Sequence, residues 1–312
     1  MMQLLLYSAI FIIGIIFLCK GAEILVDGAS KTAAELGVSP LIISLTIVAY
    51  GTSAPESFVS FLAALEGYES IAIGNVLGSC IANLLLVLGI SALVRPLKVK
   101  RVIIKREMPI MLGVISLFMV VSIRGALNWI GGIILLVVFV LYLYLFVGLA
   151  KKETGNAREN GKQKNGISKN ILFIIVGTMV IIVSAELLVR SSIFIGNALA
   201  IPNVVLALSV VAVGTSLPEL AVSSVASYKR EADISIGNLI GSNIFNITLI
   251  LGVCSLVLPI QIEMISWLAT IFLIFMCLVI ILMLYTGSSI SRREGAVLLA
   301  AYCLYIFYIF SM

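Results

Sequence analysis

The sequence contains no histidine. That excludes a histidine proton relay and a histidine-bound metal. Charge is also scarce. Asp, Glu, Lys and Arg make up 11% of the 312 residues, where a soluble domain carries about 25%. The five cysteines, Cys19, Cys80, Cys254, Cys277 and Cys303, all lie in apolar stretches with no CxxC spacing. They read as small buried hydrophobes rather than disulfides or metal ligands. Without histidine the serines have no evident activating base, which argues against a nucleophilic intramembrane enzyme. The first apolar stretch has no basic segment before it and no small-residue cleavage site after it. Residues 3–27 are therefore expected to be a first membrane span and not a cleaved leader.

What is present is apolar: 62% of the chain. A span needs about 20 mostly apolar residues. Ten such stretches are expected, at 3–27, 38–65, 69–94, 107–123, 127–149, 170–190, 201–228, 233–258, 264–285 and 294–311. The longest connection, 150–169, reads AKKETGNARENGKQKNGISK and marks a flexible linker too short for a folded domain. The expectation is an all-α polytopic membrane protein with ten transmembrane helices.

The net charge of +5 follows from where the cations sit, not from nucleic-acid binding. With the N-terminus outside, Lys31, the 95–106 loop, the 150–169 linker, Lys229, Arg230, Arg292 and Arg293 all face inward. Of the 20 Lys and Arg only Arg124 and Arg190 fall outside, with Lys20 near the inner end of the first span. The positive-inside rule then places both termini outside the cytoplasm, in a cell membrane.

The chain repeats itself. GTSAPE at 51–56 returns as GTSLPE at 214–219, a shift of 163 residues. At the same shift IGNVLGSCIAN (73–83) matches IGNLIGSNIFN (236–246), Ala22-Glu23 matches Ala185-Glu186, and Leu88-Gly89 matches Leu251-Gly252. Each unit holds five spans. Five is odd, so the second copy enters the membrane from the opposite side. The expected organisation is two inverted five-helix repeats, 1–149 and 170–312, joined by the cytoplasmic linker 150–169. Such a repeat suits alternating access better than it suits a passive cation channel.

Gly51 and Pro55 oppose a continuous helix, and Pro55 frees carbonyls about one turn before it. Helices 2 and 7 are expected to be broken. Orphan carbonyls in lipid are costly and are tolerated where they line a protected cavity. Glu56 and Glu219 fall near the middle of their spans, where a charge defaults to a functional role. A simple kink with each Glu paired to Lys or Arg is the plainer alternative, but no Lys or Arg lies deep in a span. Asn75, Ser79 and Asn83 form one helical stripe, repeated by Asn238, Ser242 and Asn246. They suit ligation or interhelical hydrogen bonding. Gly74 and Gly78, like Gly237 and Gly241, read as close helix packing.

Two Glu side chains offer four oxygens, and the carbonyls of Thr52 and Thr215 two more, a cage for a hard cation such as Ca2+. The hydroxyls of Ser53, Ser216, Ser79 and Ser242 and the carbonyls of Ala49 and Ala212 suit flanking monovalent sites. One Ca2+ neutralises two carboxylates. Emptying the site would leave two bare charges that block the conformational switch until Na+ refills it.

These motifs resemble those of the sodium/calcium exchanger branch of the calcium/cation antiporter superfamily, in a minimal prokaryotic form. The resemblance covers nearly the whole chain. It implies Na+-coupled Ca2+ transport, with Ca2+ at Glu56, Glu219, Thr52 and Thr215. It implies Na+ sites at Ala49, Thr52, Ser53 and Ser79 and at Ala212, Thr215, Ser216 and Ser242. Asn83 and Asn246 would complete the central site, and spans 1 and 6 would slide as a gating pair. Electrogenic Ca2+ extrusion driven by Na+ entry is the implied activity. Some relatives carry Asp at one of the positions held here by Asn83 and Asn246, and the potassium-dependent branch tends to use Asp at the latter. The proton-coupled branch usually lacks the GTS hydroxyls. A Ca2+/H+ exchanger is the alternative. No cofactor, nucleic acid or obligate protein partner is implied beyond the ions and the bilayer. Glu23 and Glu186, near the ends of spans 1 and 6, read as interfacial partners of Lys20 and Arg190 rather than as ion entrances.

Overall fold

The computed structural model describes residues 2–158, 167–198 and 214–311. Ala212, the start of the seventh expected span and the middle of the linker lie outside the described residues. The described chain is mostly helical. Helix α1 (Met2–Leu36) runs well past the expected end at 27. The polar residues after 27, Ser30, Lys31, Thr32 and Glu35, do not end the helix. Gly37 ends it, with a left-handed φ of 68° that lets the Val38 N–H close on the Ala33 carbonyl at 3.0 Å.

The second expected span is two helices, α2 (Pro40–Thr52) and α3 (Ala54–Leu65). Pro40 starts α2 because its ring is set for a first helical position and its missing N–H is an orphan there. Ser53, at φ −83° and ψ 9°, interrupts the helix, and Pro55 sits in the first turn of α3 with no N–H for the Gly51 carbonyl. Ser216 has nearly the same angles, −88° and 5°, before α8 (Leu217–Tyr228), with Pro218 in the first turn. The remaining helices are α4 (Glu69–Val94), α5 (Met108–Val121), α6 (Trp129–Arg158), α7 (Ile167–Ala198), α9 (Ala232–Val257), α10 (Met264–Gly287) and α11 (Arg292–Ser311).

Six of these, α1, α4, α6, α7, α9 and α10, are long and apolar enough to cross a membrane. Their burial separates centre from rim. The most apolar windows of α4 and α9 are each 78% buried, that of α6 only 17%. So α4 and α9 form the middle, with Ile73, Leu77, Ile81 and Leu84 facing Ile236, Ile240 and Ile244 in one core.

Helices α1 and α7 pack along their length in a second, smaller core. Gly14, Gly21 and Gly28, seven residues apart, let the backbones approach. A Cβ on Gly177 of α7 would come within 2.7 Å of the Leu25 nitrogen, and one on Gly28 within 3.0 Å of the Asn170 carbonyl. In the middle of the molecule Gly237 and Gly241 of α9 lie against Ser44, Leu45 and Ala49 of α2 in the same way. At their equivalents, Gly74 and Gly78, a Cβ would meet nothing within 4 Å among the described residues.

The 163-residue shift reappears as geometry. Both α4 and α9 contain one wide π turn, Asn83–Val87 and Asn246–Ile250. Strand β1 (Leu97–Lys98) pairs antiparallel with β4 (Ser289–Ile290), and β2 (Ala126–Leu127) with β3 (Ile260–Gln261). Leu97 faces Ile290 and Leu127 faces Ile260, so the shift carries one pair onto the other. Each half completes the other's edge.

Candidate functional site

The break at Ser53 and the helix start after Ser216 bring two acidic first turns together in the interior. Glu56 lies in the first turn of α3 and Glu219 in the first turn of α8, both fully buried. The exposed amides of a helix start favour a carboxylate there. Ser53 and Ser216 hold the position just before each helix, yet neither hydroxyl caps its own helix. Ser53 donates to Glu219 Oε1 at 3.0 Å, and Ser216 lies 3.3 Å from the Ser79 hydroxyl.

Helices α4 and α9 supply the other wall. Ser79 donates to Glu56 Oε1 at 3.3 Å, and Ser242 donates to Glu219 Oε1 at 3.4 Å. The Thr52 hydroxyl reaches Asn238 Oδ1 at 3.0 Å, and the Thr215 hydroxyl reaches Asn75 Oδ1 at 3.5 Å. Behind them Asn75 donates to Ser60 at 2.9 Å and Asn238 to Ser223 at 3.2 Å. The serine–carboxylate, threonine–asparagine and asparagine–serine contacts of one half each have a counterpart in the other.

Each carboxylate thus has one oxygen, Oε1, among hydroxyls, while its Oε2 is buried without a partner. Asn83 Oδ1 and both amide atoms of Asn246 are also buried without partners. No Lys or Arg pairs with Glu56 or Glu219 among the described residues. The contrast is Glu107, equally buried, which holds Arg106 at 2.6 Å. An unpaired buried carboxylate is costly. Two of them beside orphaned amide oxygens form a set of hard donors suited to a hard cation. The described residues contain no group of three or more His, Cys, Asp or Glu that could hold a metal. Any cation here is held by two acids and neutral oxygens.

Glu56, Glu219, Thr52, Ser53, Ser79, Ser216 and Ser242 are therefore gathered in one place, with Asn83 and Asn246 one helical turn beyond Ser79 and Ser242. Thr215 sits at its edge, half-buried. The Ala49 carbonyl already accepts from the Ser53 N–H at 3.1 Å and the Thr52 hydroxyl at 3.3 Å. Ala212 lies outside the described residues. Glu23 pairs with Lys20 at 2.7 Å and Glu186 with Arg190 at 2.6 Å, both exposed. The sequence reading did not place Asn75 and Asn238 as clamps onto the opposite threonines. It also missed Asn243, which donates no distinctive motif but marks a break in the repeat, since Cys80 is its equivalent.

The surroundings are unequal on the two sides. A cavity of about 540 Å³ lies between α3 and α7, lined by Pro55, Phe58, Ala185, Glu186 and Thr215. At the equivalent place α8 packs along α1. There Lys229 holds Asp27 at 2.6 Å, and Ser30 donates to Glu231 at 2.9 Å. The cavity reaches Pro55 and Thr215 on one side, the equivalent place on the other side is packed shut, and Glu56 and Glu219 themselves stay fully buried.

Comparison with known proteins agrees with this geometry. The sequence profile described as "Sodium/calcium exchanger protein" matches residues 6–148 and again 169–311. The sodium/calcium exchanger MaX1 of Methanosarcina acetivorans is 33% identical, over 96% of this chain and 97% of that protein. The inner membrane protein YrbG of Escherichia coli is 36% identical, over 85% of this chain and 84% of its own. Among solved structures, the sodium-calcium exchanger NCX_Mj soaked with zero Na+ and Ca2+ superposes with a TM-score of 0.86. It has 34% identity and covers 98% of this chain and 99% of its own. The same exchanger soaked with 2.5 mM Na+ and 10 mM Sr2+ gives a TM-score of 0.84 over 99% of both chains.

Proposed function

Since the chain belongs to the sodium/calcium exchanger family, we propose that it exchanges Na+ for Ca2+ across the membrane by alternating access. It is a transporter and not an enzyme. The observation that carries the reading is the pair of buried carboxylates, one from each half, with no protein cation beside either. One Ca2+ between Glu56 and Glu219 cancels both charges. The Thr52 and Thr215 carbonyls at the helix breaks and the Asn83 and Asn246 oxygens complete its shell. Ser53 and Ser79, and Ser216 and Ser242, with Ala49 and Ala212, take Na+ on either side. Without ions the two charges face each other in a dry interior, which opposes movement past the sealed state. Exchange is then obligatory, and Ca2+ leaves electrogenically as Na+ enters.

The architecture in this reading is ten membrane spans in two inverted repeats, 1–149 and 170–312, with 150–169 in the cytoplasm and both termini outside the cell membrane. The matched breaks at Ser53 and Ser216, the matched π turns and the exchanged strand pairs support it. The unequal approaches support a molecule caught on one side of its cycle. The second reading is Ca2+/H+ exchange, favoured by the unpartnered Oε2 of each Glu, where a proton also fits.

The test is Ca2+ uptake into proteoliposomes loaded with Na+ and diluted into Na+-free buffer, beside vesicles carrying only a pH gradient. Uptake that requires internal Na+ and is lost in Glu56→Gln and in Glu219→Gln is expected. Uptake driven by the pH gradient and indifferent to Na+ would replace Na+ with protons.

A further inference from the structure

Among the polar positions of the two repeated motifs the halves differ at one pair, and that mismatch falls beside the central asparagines. Asn243 is fully buried in α9, and its repeat equivalent in α4 is Cys80, also buried. The two face each other across the middle of the molecule: the Cys80 thiol lies 3.9 Å from the Asn243 carbonyl. The Asn243 Nδ2 lies 3.5 Å from the Cys80 carbonyl and 3.6 Å from Met111 Sδ. Both neighbours only accept hydrogen bonds, so the amide turns its NH2 group toward them. Its Oδ1 then faces the other way and accepts from Asn83 Nδ2 at 3.1 Å. Asn83 in turn has its NH2 committed, and its own oxygen is left buried and unpartnered. Asn83 stands one helical turn beyond Ser79, which donates to Glu56.

We propose that Asn243 is a positioning residue: it fixes the Asn83 amide so that an oxygen, and never an NH2 group, is offered to the transported cation. This rests on the site reading given above. The equivalent service for Asn246 would come from residue 80. A thiol is a weak donor and weak acceptor and does not distinguish the two ends of an amide. The Cys80 thiol touches the Asn246 amide, but neither amide atom of Asn246 gains a well-formed hydrogen bond from it. One central asparagine is held by an amide and the other only by a thiol. A hard cation gains from oxygen and is repelled by NH2, so the oriented amide favours binding and the unoriented one costs part of it.

The experiment is Na+-dependent Ca2+ uptake by the full chain in proteoliposomes, read as KM and maximal rate. Asn243→Ala is expected to raise the Ca2+ KM about five-fold while the maximal rate changes less than about two-fold. Asn83→Asp in the Asn243→Ala background is expected to return KM toward the starting value, because a carboxylate offers oxygen whichever way it turns. A packing role for Asn243 would not be rescued in this way. Cys80→Asn, nearly the same size, is expected to orient Asn246 and lower KM about two-fold or more. An unchanged KM in Asn243→Ala, or a raised KM that Asn83→Asp leaves raised, overturns the proposal. Glu56→Gln serves as the separate control. If it retains full uptake, the site reading itself has failed; if it loses uptake while Asn243→Ala does not shift KM, only the positioning role has.

Discussion

Ser53 stands where a helix start ordinarily takes a capping hydroxyl, and it gives that hydroxyl to Glu219 in the other half. A hydrogen bond to a charged group is worth about 1.5–3 kcal/mol, and here it goes to a buried carboxylate, which we propose binds the ion, rather than to a helix end. Ser53→Ala is therefore expected to leave the folded yield nearly unchanged. It should raise the Na+ concentration for half-maximal exchange about ten-fold. Na+ titration of Ca2+ flux in vesicles measures it, and an unaltered Na+ dependence would remove Ser53 from the ion path. At this scale the sequence was informative where chemistry was out of place. Glu56 and Glu219 were legible because a carboxylate in an apolar run needs a reason. The Thr52–Asn238 and Thr215–Asn75 contacts were not, because a stripe names the face of a helix but not the neighbour that meets it.

The helix break at Ser53 was legible for a similar reason: Pro55 removes a backbone donor, and the interruption falls two residues before it; at Pro218 the described residues show the matching helix start after Ser216. The π turns at Asn83–Val87 and Asn246–Ile250 were not, since one extra residue per turn leaves no mark on a uniformly apolar stretch. The end of α1 was misplaced for a physical reason too. Hydropathy reports where the polar residues begin, and the helix goes on past them to Leu36, with Gly37 ending it. The end of α3 shows how strongly this architecture holds. Gly67 ends it at φ 84°, with the Tyr68 N–H closing on Ala63 at 2.7 Å. The equivalent end of α8 makes the same closure, Glu231 to Ala226 at 2.8 Å, with Arg230 at φ 68°. A side chain in that region costs about 1 kcal/mol or more. Arg230→Gly is expected to raise the thermal midpoint of the detergent-solubilised protein by about 2 °C. A lower midpoint would mean that the arginine side chain compensates for its backbone.

Across the whole molecule, the seal between α1 and α8 has a counterpart with the signs exchanged. Asp27 and Lys229 form the observed pair. Their repeat equivalents are Arg190 and Glu66, again opposite in charge. Arg190 is at present held by Glu186, one turn away on its own helix. If the cavity between α3 and α7 closes as the α1–α8 seal opens, Arg190 is expected to leave Glu186 and meet Glu66. Cysteine pairs at 27 and 229, and at 66 and 190, test this in a chain whose exposed Cys19 and Cys303 are serine. As the ion conditions vary, the two cross-linking yields should move in opposite directions. Yields that rise and fall together would show that these charges do not mark opposite states.

The exchanged strand pairs have a consequence for how the protein is made. Leu97 waits for Ile290, and Leu127 for Ile260, so the first half leaves the ribosome with its edges unfinished until nearly the last helix has been synthesised. Each strand pair joins an edge from the first part of the chain to one from the second, so we propose that neither half is finished without the other. Split within the linker and expressed together, they should assemble. Expressed singly, each is expected to be cleared by the quality-control proteases of the membrane.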